Sequence, residues 1–465
     1  MARRKSFSNI AVVILAAGKG VRMKSNIPKV LHQVCGKPMI YYSLRIGKEL
    51  NANKIVAVLS PSISQTIQEI LGDEVEVAIQ DKPLGTGHAV MCAKSALENF
   101  YGDVLILYGD MPLITSATLK ELIEKHRKEK VPLTLLTAIF DWDNKFGRVI
   151  RDKNGKVKRI VEVADASPKE LKIKEVNAGI YAVERDFLFK SLDKVKPNNA
   201  QGEYYLTDIV EIASKENEVS AYQLTDPCEV LGINDRTELA EAERVMRLRI
   251  TTKLMKEGVT FLDPATAYIH DGVKIEPDTV IYPSVVIEGA TSIGKHCIIG
   301  TGAFIKDSII GDEVEIRAYS VLDGAKVGNK TTIGPCAHLR PESVIGARCR
   351  IGNFVETKKV VIGDGTKASH LTYLGDAEIG ANVNIGCGTI TCNYDGIKKH
   401  KSVIEDGVFV GSDTQLVAPV RVGKGAYIGS GSTITKDVPA GALSVARSRQ
   451  KNFPGWAERK RKKTS

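Results

Sequence analysis

Through the second half of this 465-residue chain an aliphatic residue returns every six positions. Ile275, Ile281, Ile287, Ile293, Ile299 and Ile305 share one register; after a one-residue slip it resumes at Ile310, Ile316 and Leu322. It continues at Val327, Ile333, Leu339, Ile345 and Ile351, at Ile362, Ala368 and Leu374, at Ile379 and Ile385, and from Ile404 through Val410, Leu416, Val422 and Ile428 to Ile434. A helix repeats every 3.6 residues and a strand every 2, so neither explains a beat of six. A prism of short strands does: each hexad forms one flat side, its aliphatic residue points inward, and successive coils stack at about 4.8 Å. The residue after the anchor is often glycine, as at Gly294, Gly334, Gly386, Gly411 and Gly429, and is expected to turn the corner with φ > 0.

The length exceeds what one core organises and predicts two or three domains. No apolar run reaches the 18 or so residues of a membrane span. Arg3, Arg4 and Lys5 before the apolar run Ile10 to Ala17 superficially look like a secretion signal. That run is short and passes straight into a glycine loop, which makes it a buried first strand. The eight cysteines (Cys35, Cys92, Cys228, Cys297, Cys336, Cys349, Cys387, Cys392) follow no framework spacing and read as free buried thiols of a reducing, cytoplasmic compartment. Cys336-x-His338 lacks a second ligand pair at zinc spacing. The net charge of +10 resides in the two ends: the tail from Arg447 to Lys463 carries +7 and Arg3, Arg4 and Lys5 carry +3. A solvated basic end is the common outcome of such a run, so no nucleic-acid function is read from it.

The first half alternates strand-like and helical runs. Strands are expected at Ile10–Ala16, Ile55–Leu59, Val75–Ile79, Val104–Leu107 and Leu133–Ile139, with helices near Met39–Leu50, Ser64–Leu71, His88–Leu97 and Thr118–Lys128. This predicts a mostly parallel sheet covered on both faces, with ligands at the carboxyl ends of its strands. A long helix follows Asn234-Asp235 and ends at Gly258. The expected domains are 1–235, a linker helix in 236–263, the hexad region 264–446 and a basic tail 447–465.

Leu15-Ala16-Ala17-Gly18-Lys19-Gly20-Val21-Arg22-Met23 follows the first strand, with Pro28-Lys29 soon after. Small residues expose backbone N–H groups that can cradle phosphate, and Arg22 and Lys29 add charge for a triphosphate. The loop lacks the Gly-Lys-Ser/Thr of Walker A. It also lacks the third small residue of the dinucleotide fingerprint, where Met23 stands. Tyr108-Gly109-Asp110 ends an apolar strand, placing a carboxylate at the sheet edge in a position suited to Mg²⁺.

With Gln80, Leu84-Gly85-Thr86-Gly87-His88, Phe146-Gly147-Arg148, Glu162, Asn177-Ala178-Gly179 and Gly202 to Asp208, the first half resembles the sugar-phosphate nucleotidyltransferases. These residues match one branch closely, the bifunctional N-acetylglucosamine-1-phosphate uridyltransferase / glucosamine-1-phosphate N-acetyltransferase family. The resemblance covers Ile10 to Arg447. It implies a Rossmann-like α/β nucleotidyltransferase domain, a linker helix and a left-handed parallel β-helix of hexapeptide repeats. It also implies that Leu15, Ala16, Ala17, Gly18, Arg22, Lys29 and Asp110 bind the nucleotide, with Gln80, Gly85 and Thr86 reading uracil. Gly147, Glu162, Asn177 and Asn234 would hold the sugar, and Asp110 and Asn234 would share Mg²⁺. The family commonly has threonine where this chain has Ala178.

The second half resembles the hexapeptide acetyltransferases, most specifically over Gly365 to Asp376. His370, two residues after an inward anchor, is the implied base that deprotonates the acceptor amine. Arg340, Lys358, Tyr373 and Asn384 would bind the sugar phosphate. The hexads lapse between Thr391 and Ser402, where function tends to concentrate. Asn393, Tyr394, Ser412, Ser430 and Arg447 would line the acetyl-CoA groove, with Cys387 where the family usually has alanine. The implied enzyme acetylates glucosamine-1-phosphate with acetyl-CoA, then transfers uridylyl from UTP to N-acetylglucosamine-1-phosphate, as a cytoplasmic homotrimer. Two alternatives share the architecture: a single-function sugar nucleotidyltransferase with a regulatory β-helix, and a non-catalytic assembly protein. His370 with Arg340 and Lys358 argues against the first, and Arg22, Lys29 and Asp110 against the second.

Overall fold

The computed structural model describes residues 9–461 apart from Lys19, Asp73, Asp143 and Asn217. Arg3, Arg4, Lys5, Lys19, Lys462 and Lys463 lie outside the described residues. The chain divides between Met246 and Arg247 into two compact units.

The first unit is built on a sheet in the order Ser220–Gln223, Leu133–Ile139, Glu175–Glu184, Asp103–Tyr108, Ile10–Leu15, Lys54–Leu59, Glu76–Ile79. The strand Ile10–Leu15 is buried along its whole length. Ile10, Val12 and Ile14 join one core with Ile40, Leu44 and Leu119. Ala11, Val13 and Leu15 join another with Val90, Leu188 and Ile209. Burial on both faces explains why this strand reads as a continuous apolar run without alternation. In register, Leu15 lies beside both Val58 and Tyr108. The glycine loop, Ser60 and Gly109-Asp110 therefore leave the sheet side by side at its carboxyl edge.

Glu175–Glu184 runs antiparallel to both neighbours and was not among the expected strands. Its register breaks between Asn177 and Tyr181. Gly179 sits there at φ 78°, and a Cβ on it would lie 2.9 Å from the Tyr108 ring. What reads in sequence as a turn, Asn-Ala-Gly, is a bulge that makes room for Tyr108. A hairpin of Arg148–Arg151 and Val157–Val161 pairs onto the same strand.

The helix Arg236–Lys256 starts where the Asp235 carboxylate accepts the N–H groups of Thr237 and Glu238, both at 2.9 Å. Gly258 follows its end at φ 100°. Among the described residues no helix is long and apolar enough to cross a membrane.

The second unit is a parallel β-helix built mostly of two- and three-residue strands, most of which pair with the strand three further along. Ile281 lies beside Ile299, Ile299 beside Ile316, and Ile287 beside Ile305. Every hexad anchor is buried and they form one continuous core. Two strands of 13 residues, Arg350–Ile362 and Lys367–Ile379, run beside each other in register where the coils carry the densest chemistry.

The role expected for the corner glycines is corrected. Of Gly294, Gly334, Gly386, Gly411 and Gly429, only Gly334 has φ > 0, at 87°. The others are small because the next coil lies against them. A Cβ on Gly386 would sit 2.5 Å from the Ser412 nitrogen, and one on Gly411 2.6 Å from the Ser430 nitrogen. Left-handed backbone occurs at other corners, including Ser284, Tyr319 and Phe354 at φ 57–60°. The cysteines also depart from the expectation of burial. None of the eight is in a disulfide, but only Cys35, Cys297 and Cys349 are buried, and Cys336 and Cys387 are exposed. Cys336 occupies a corner at φ 54°, and Cys387 follows the anchor-glycine pair Ile385-Gly386 on an exposed corner.

Two candidate active sites

At the carboxyl edge of the sheet a cavity of about 250 Å³ is lined by Leu15, Ala16, Ala17, Gly18, Lys29, Gln80, Gly85, Thr86 and Asp110. These are nine of the ten expected nucleotide residues. The tenth, Arg22, lines an adjoining cavity of about 480 Å³ with Asn234, and Asp110 and Tyr108 border both. Three residues distant in sequence meet there. The Lys29 ammonium pairs with Asp110 Oδ2 and lies 3.1 Å from Asn234 Oδ1. Among the described residues Asp110 Oδ1 is buried with no hydrogen-bond partner. Gly20, at φ 60°, permits this approach, since a Cβ would lie 2.6 Å from Lys29 Cβ.

Gln80 is buried, and its Nε2 donates to the Gly85 carbonyl at 3.2 Å. Gly85 takes φ 107° with its Cα pressed on Tyr204, where a Cβ would come within 2.6 Å of the carbonyl oxygen. The Thr86 hydroxyl accepts from Leu206 N–H at 3.1 Å. Three of the four expected sugar residues, Gly147, Glu162 and Asn177, gather around the bulged strand. Asn177 N–H donates to the Gly147 carbonyl at 2.9 Å, and a Cβ on Gly147 would lie 3.3 Å from Glu162 Oε2. The Thr207 hydroxyl donates to Glu162 Oε1 at 3.2 Å. Burial, aided by Asp165 and Asp208, raises the Glu162 carboxyl. Burial first, then Glu211 and Asp165, pushes Asp208 up to about 6. This acidic pocket suits hydroxyl-rich, uncharged parts of a ligand better than phosphate. Ala178 is buried, beside these contacts.

On the β-helix His370 lies beside Asn353 of the preceding coil, with Nδ1 2.9 Å from Asn353 Oδ1. The amide oxygen accepts from Nδ1–H, leaving Nε2 as the ring's basic nitrogen. Arg340, Lys358 and Tyr373, three of the four expected phosphate residues, cluster nearby in register: Glu356 lies beside Tyr373 and Lys358 beside Gly375, while Asn384 lies beside Lys367. Arg340 is held by Glu356 at 2.8 Å. Contact with Lys399 pushes the half-buried Lys358 ammonium below its ordinary value. Asn393 donates to Asp376 at 2.5 Å and to the Tyr373 hydroxyl at 3.4 Å. Asn384 is half-buried, and Cys387, Ser412 and Ser430 are exposed along following turns, with Asp413 N–H donating to the Cys387 carbonyl. Arg447 reaches the Ser430 carbonyl at 2.6 Å, and Tyr394 is exposed in the excursion with its hydroxyl on the Gly396 carbonyl. Asn353, Glu356 and Lys399 were not expected. Asn353 was within reach of the sequence, because it precedes His370 by 17 residues, about one coil.

A nucleotidyl transferase family profile matches residues 11–227. A C-terminal domain profile of the GMPPB type matches 265–362, and the bacterial transferase hexapeptide profile of six repeats matches 401–436. Over 457 residues the chain is 51% identical to the "Bifunctional protein GlmU" of Geotalea uraniireducens strain Rf4, covering 98% of this chain and all of that one. It is also 51% identical to the protein of that name from Trichlorobacter lovleyi, over 97% of this chain and 98% of the other. The chain belongs to the GlmU family. A third GlmU protein, from Geobacillus sp. strain WCH70, is 51% identical over 96% of this chain and 97% of its own. The likeness to GlmU spans both units, so the nucleotidyl transferase sheet and the hexapeptide β-helix, with its left-handed coil, are inherited together.

Proposed function

We propose that this GlmU-family chain performs two consecutive transfers on one amino sugar. It is a bifunctional uridyltransferase and acetyltransferase of UDP-N-acetylglucosamine synthesis. In the β-helix, Arg340, Lys358, Tyr373 and Asn384 hold glucosamine-1-phosphate. His370 Nε2 takes a proton from its ammonium, the freed amine attacks the acetyl thioester, and the thiol of coenzyme A leaves. Asn353 fixes the tautomer this requires. Cys387, Asn393, Tyr394, Ser412, Ser430 and Arg447 line the acetyl-CoA groove. The flat prism faces pack as a homotrimer, and cysteines outside any disulfide suit the cytoplasm.

In the first unit the sugar-1-phosphate oxygen attacks the α-phosphorus of UTP and pyrophosphate leaves, with no covalent enzyme intermediate. Arg22 and Lys29 neutralise phosphate charge, the loop Leu15 to Gly18 cradles it, and Gln80, Gly85 and Thr86 hold the base. Gly147, Glu162, Asn177 and Asn234 hold the sugar. The donors at Asp110 and Asn234 fit Mg²⁺: one carboxylate whose buried oxygen has no partner among the described residues, and one amide oxygen facing the same ammonium. Bound there, Mg²⁺ would neutralise developing phosphate charge, completing its shell with phosphate and water.

The observation that carries this reading is that Lys29, Asp110 and Asn234 converge in one unit while His370 and Asn353 pair in the other. A coupled assay tests it: UTP, acetyl-CoA and glucosamine-1-phosphate should yield free thiol and pyrophosphate in equal amounts. Pyrophosphate only with pre-acetylated sugar would mean a single-function nucleotidyltransferase, and neither product an assembly protein. Light scattering should give three times the chain mass.

A further inference from the structure

Gln80 Nε2 has two neighbours. One is the Gly85 carbonyl at 3.2 Å and the other is His88 Nδ1 at 3.1 Å. A carbonyl oxygen only accepts, so the Gly85 contact fixes which end of the amide is the NH₂. His88 Nδ1 then faces an N–H and must accept it, which puts the imidazole proton on Nε2. Both amide hydrogens are committed. The protein offers Oε1 no hydrogen bond among the described residues, and it is the group left for a ligand in the cavity that Gln80 lines. The Cys92 thiol, 4.0 Å from the same Nδ1, is also a donor, since burial and Asp81 push it up and keep its proton.

We propose that His88 is the positioning residue that locks the Gln80 amide with its oxygen toward the base and so sets the preference for UTP over CTP. This rests on Gln80 being the base contact. Uracil presents an N3–H donor to that oxygen. Cytosine presents an N3 lone pair, which the oxygen repels. Accommodating cytosine requires turning the amide, which would set Oε1 against the Gly85 carbonyl and force His88 to move its proton from Nε2 to Nδ1. With His88 gone only the Gly85 carbonyl opposes the turn.

The test uses the full chain with His88→Leu, which removes the acceptor, and His88→Asn, whose side-chain oxygen restores one near the Nδ1 position. His88→Leu should raise KM for UTP about tenfold with kcat little changed, and reduce the UTP/CTP preference by a similar factor, the scale of one lost buried hydrogen bond. His88→Asn should recover most of both. Unchanged acetyl transfer and an unchanged melting curve report that each variant is folded. The proposal is overturned if His88→Leu keeps the wild-type UTP/CTP preference, or weakens both nucleotides equally, while Gln80→Leu loses the preference. If Gln80→Leu also keeps it, the underlying assignment of Gln80 to the base fails instead.

Discussion

Gly352 is where the coil spacing and the chemistry meet. A Cβ placed on it would lie 1.9 Å from the Ser369 carbonyl oxygen and 2.5 Å from its carbon. Non-bonded carbon prefers about 3.5–4 Å, so Gly352→Ala forces the two coils apart by roughly 1–2 Å. The next residue on each strand is Asn353 and His370, whose hydrogen bond is 2.9 Å long. Lengthened by that amount it is no longer a hydrogen bond. Overpacking of this kind costs about 1–3 kcal/mol. For a unit of this size that lowers Tm by about 2–4 °C per kcal/mol. A misplacement near 1 Å at the base lowers acetyl transfer by about 10²-fold. Separate assays of thiol and pyrophosphate release should show the first falling and the second unchanged. Gly407→Ala is the comparison: at φ 67° with nothing within 4 Å of a built Cβ, it should cost about 1–2 kcal/mol and leave acetyl transfer intact. A folded Gly352→Ala enzyme with wild-type acetyl transfer would refute both the tight coil contact and the need for the Asn353–His370 pair.

Asp110→Asn should abolish pyrophosphate release while acetyl transfer continues, and His370→Ala should do the reverse; loss of both activities from either folded variant would contradict the two-site reading. Asp208 titrates near 6 in the fold, above its ordinary 3.8, so its contribution to stability is present at low pH and is lost as pH rises from about 4 to 6. Asp208→Asn should therefore add about 1 kcal/mol of stability at pH 8, after allowing for solvent screening of a half-exposed group, seen as a higher Tm, and leave Tm unchanged at pH 4. Cys387 is an exposed thiol on the proposed acetyl-CoA groove, so a maleimide should inhibit acetyl transfer, with acetyl-CoA protecting and Cys387→Ala resistant. Unchanged sensitivity of Cys387→Ala would place the reactive thiol elsewhere, with exposed Cys336 the first to examine.

What the sequence made legible and what it hid differ in physical kind. The hexads were legible because each inward position meets the same confined interior, and Ile281, Leu322 or Val410 satisfies it in isolation from its neighbours. Asp110 was legible because a carboxylate just past a strand buried from Val104 to Leu107 has few purely structural uses. The hidden features depend on which atoms another coil or strand brings close. The corner glycines look like turn formers, yet Gly386 is small because the Ser412 nitrogen lies above it. Asn177-Ala178-Gly179 looks like a loop, yet Gly179 bulges within a strand because the Tyr108 ring fills the space beside it. His370 was picked out through a resemblance, while Asn353, which fixes its proton, needed only a coil length of 17 residues to be found. Lys399 needed more, because the excursion from Asn393 to His400 breaks the repeat that would have placed it beside Lys358. A periodic fold thus makes cross-coil partners computable from sequence wherever the period holds. Where it lapses, residues such as Lys399 reach the site by a path that no register predicts.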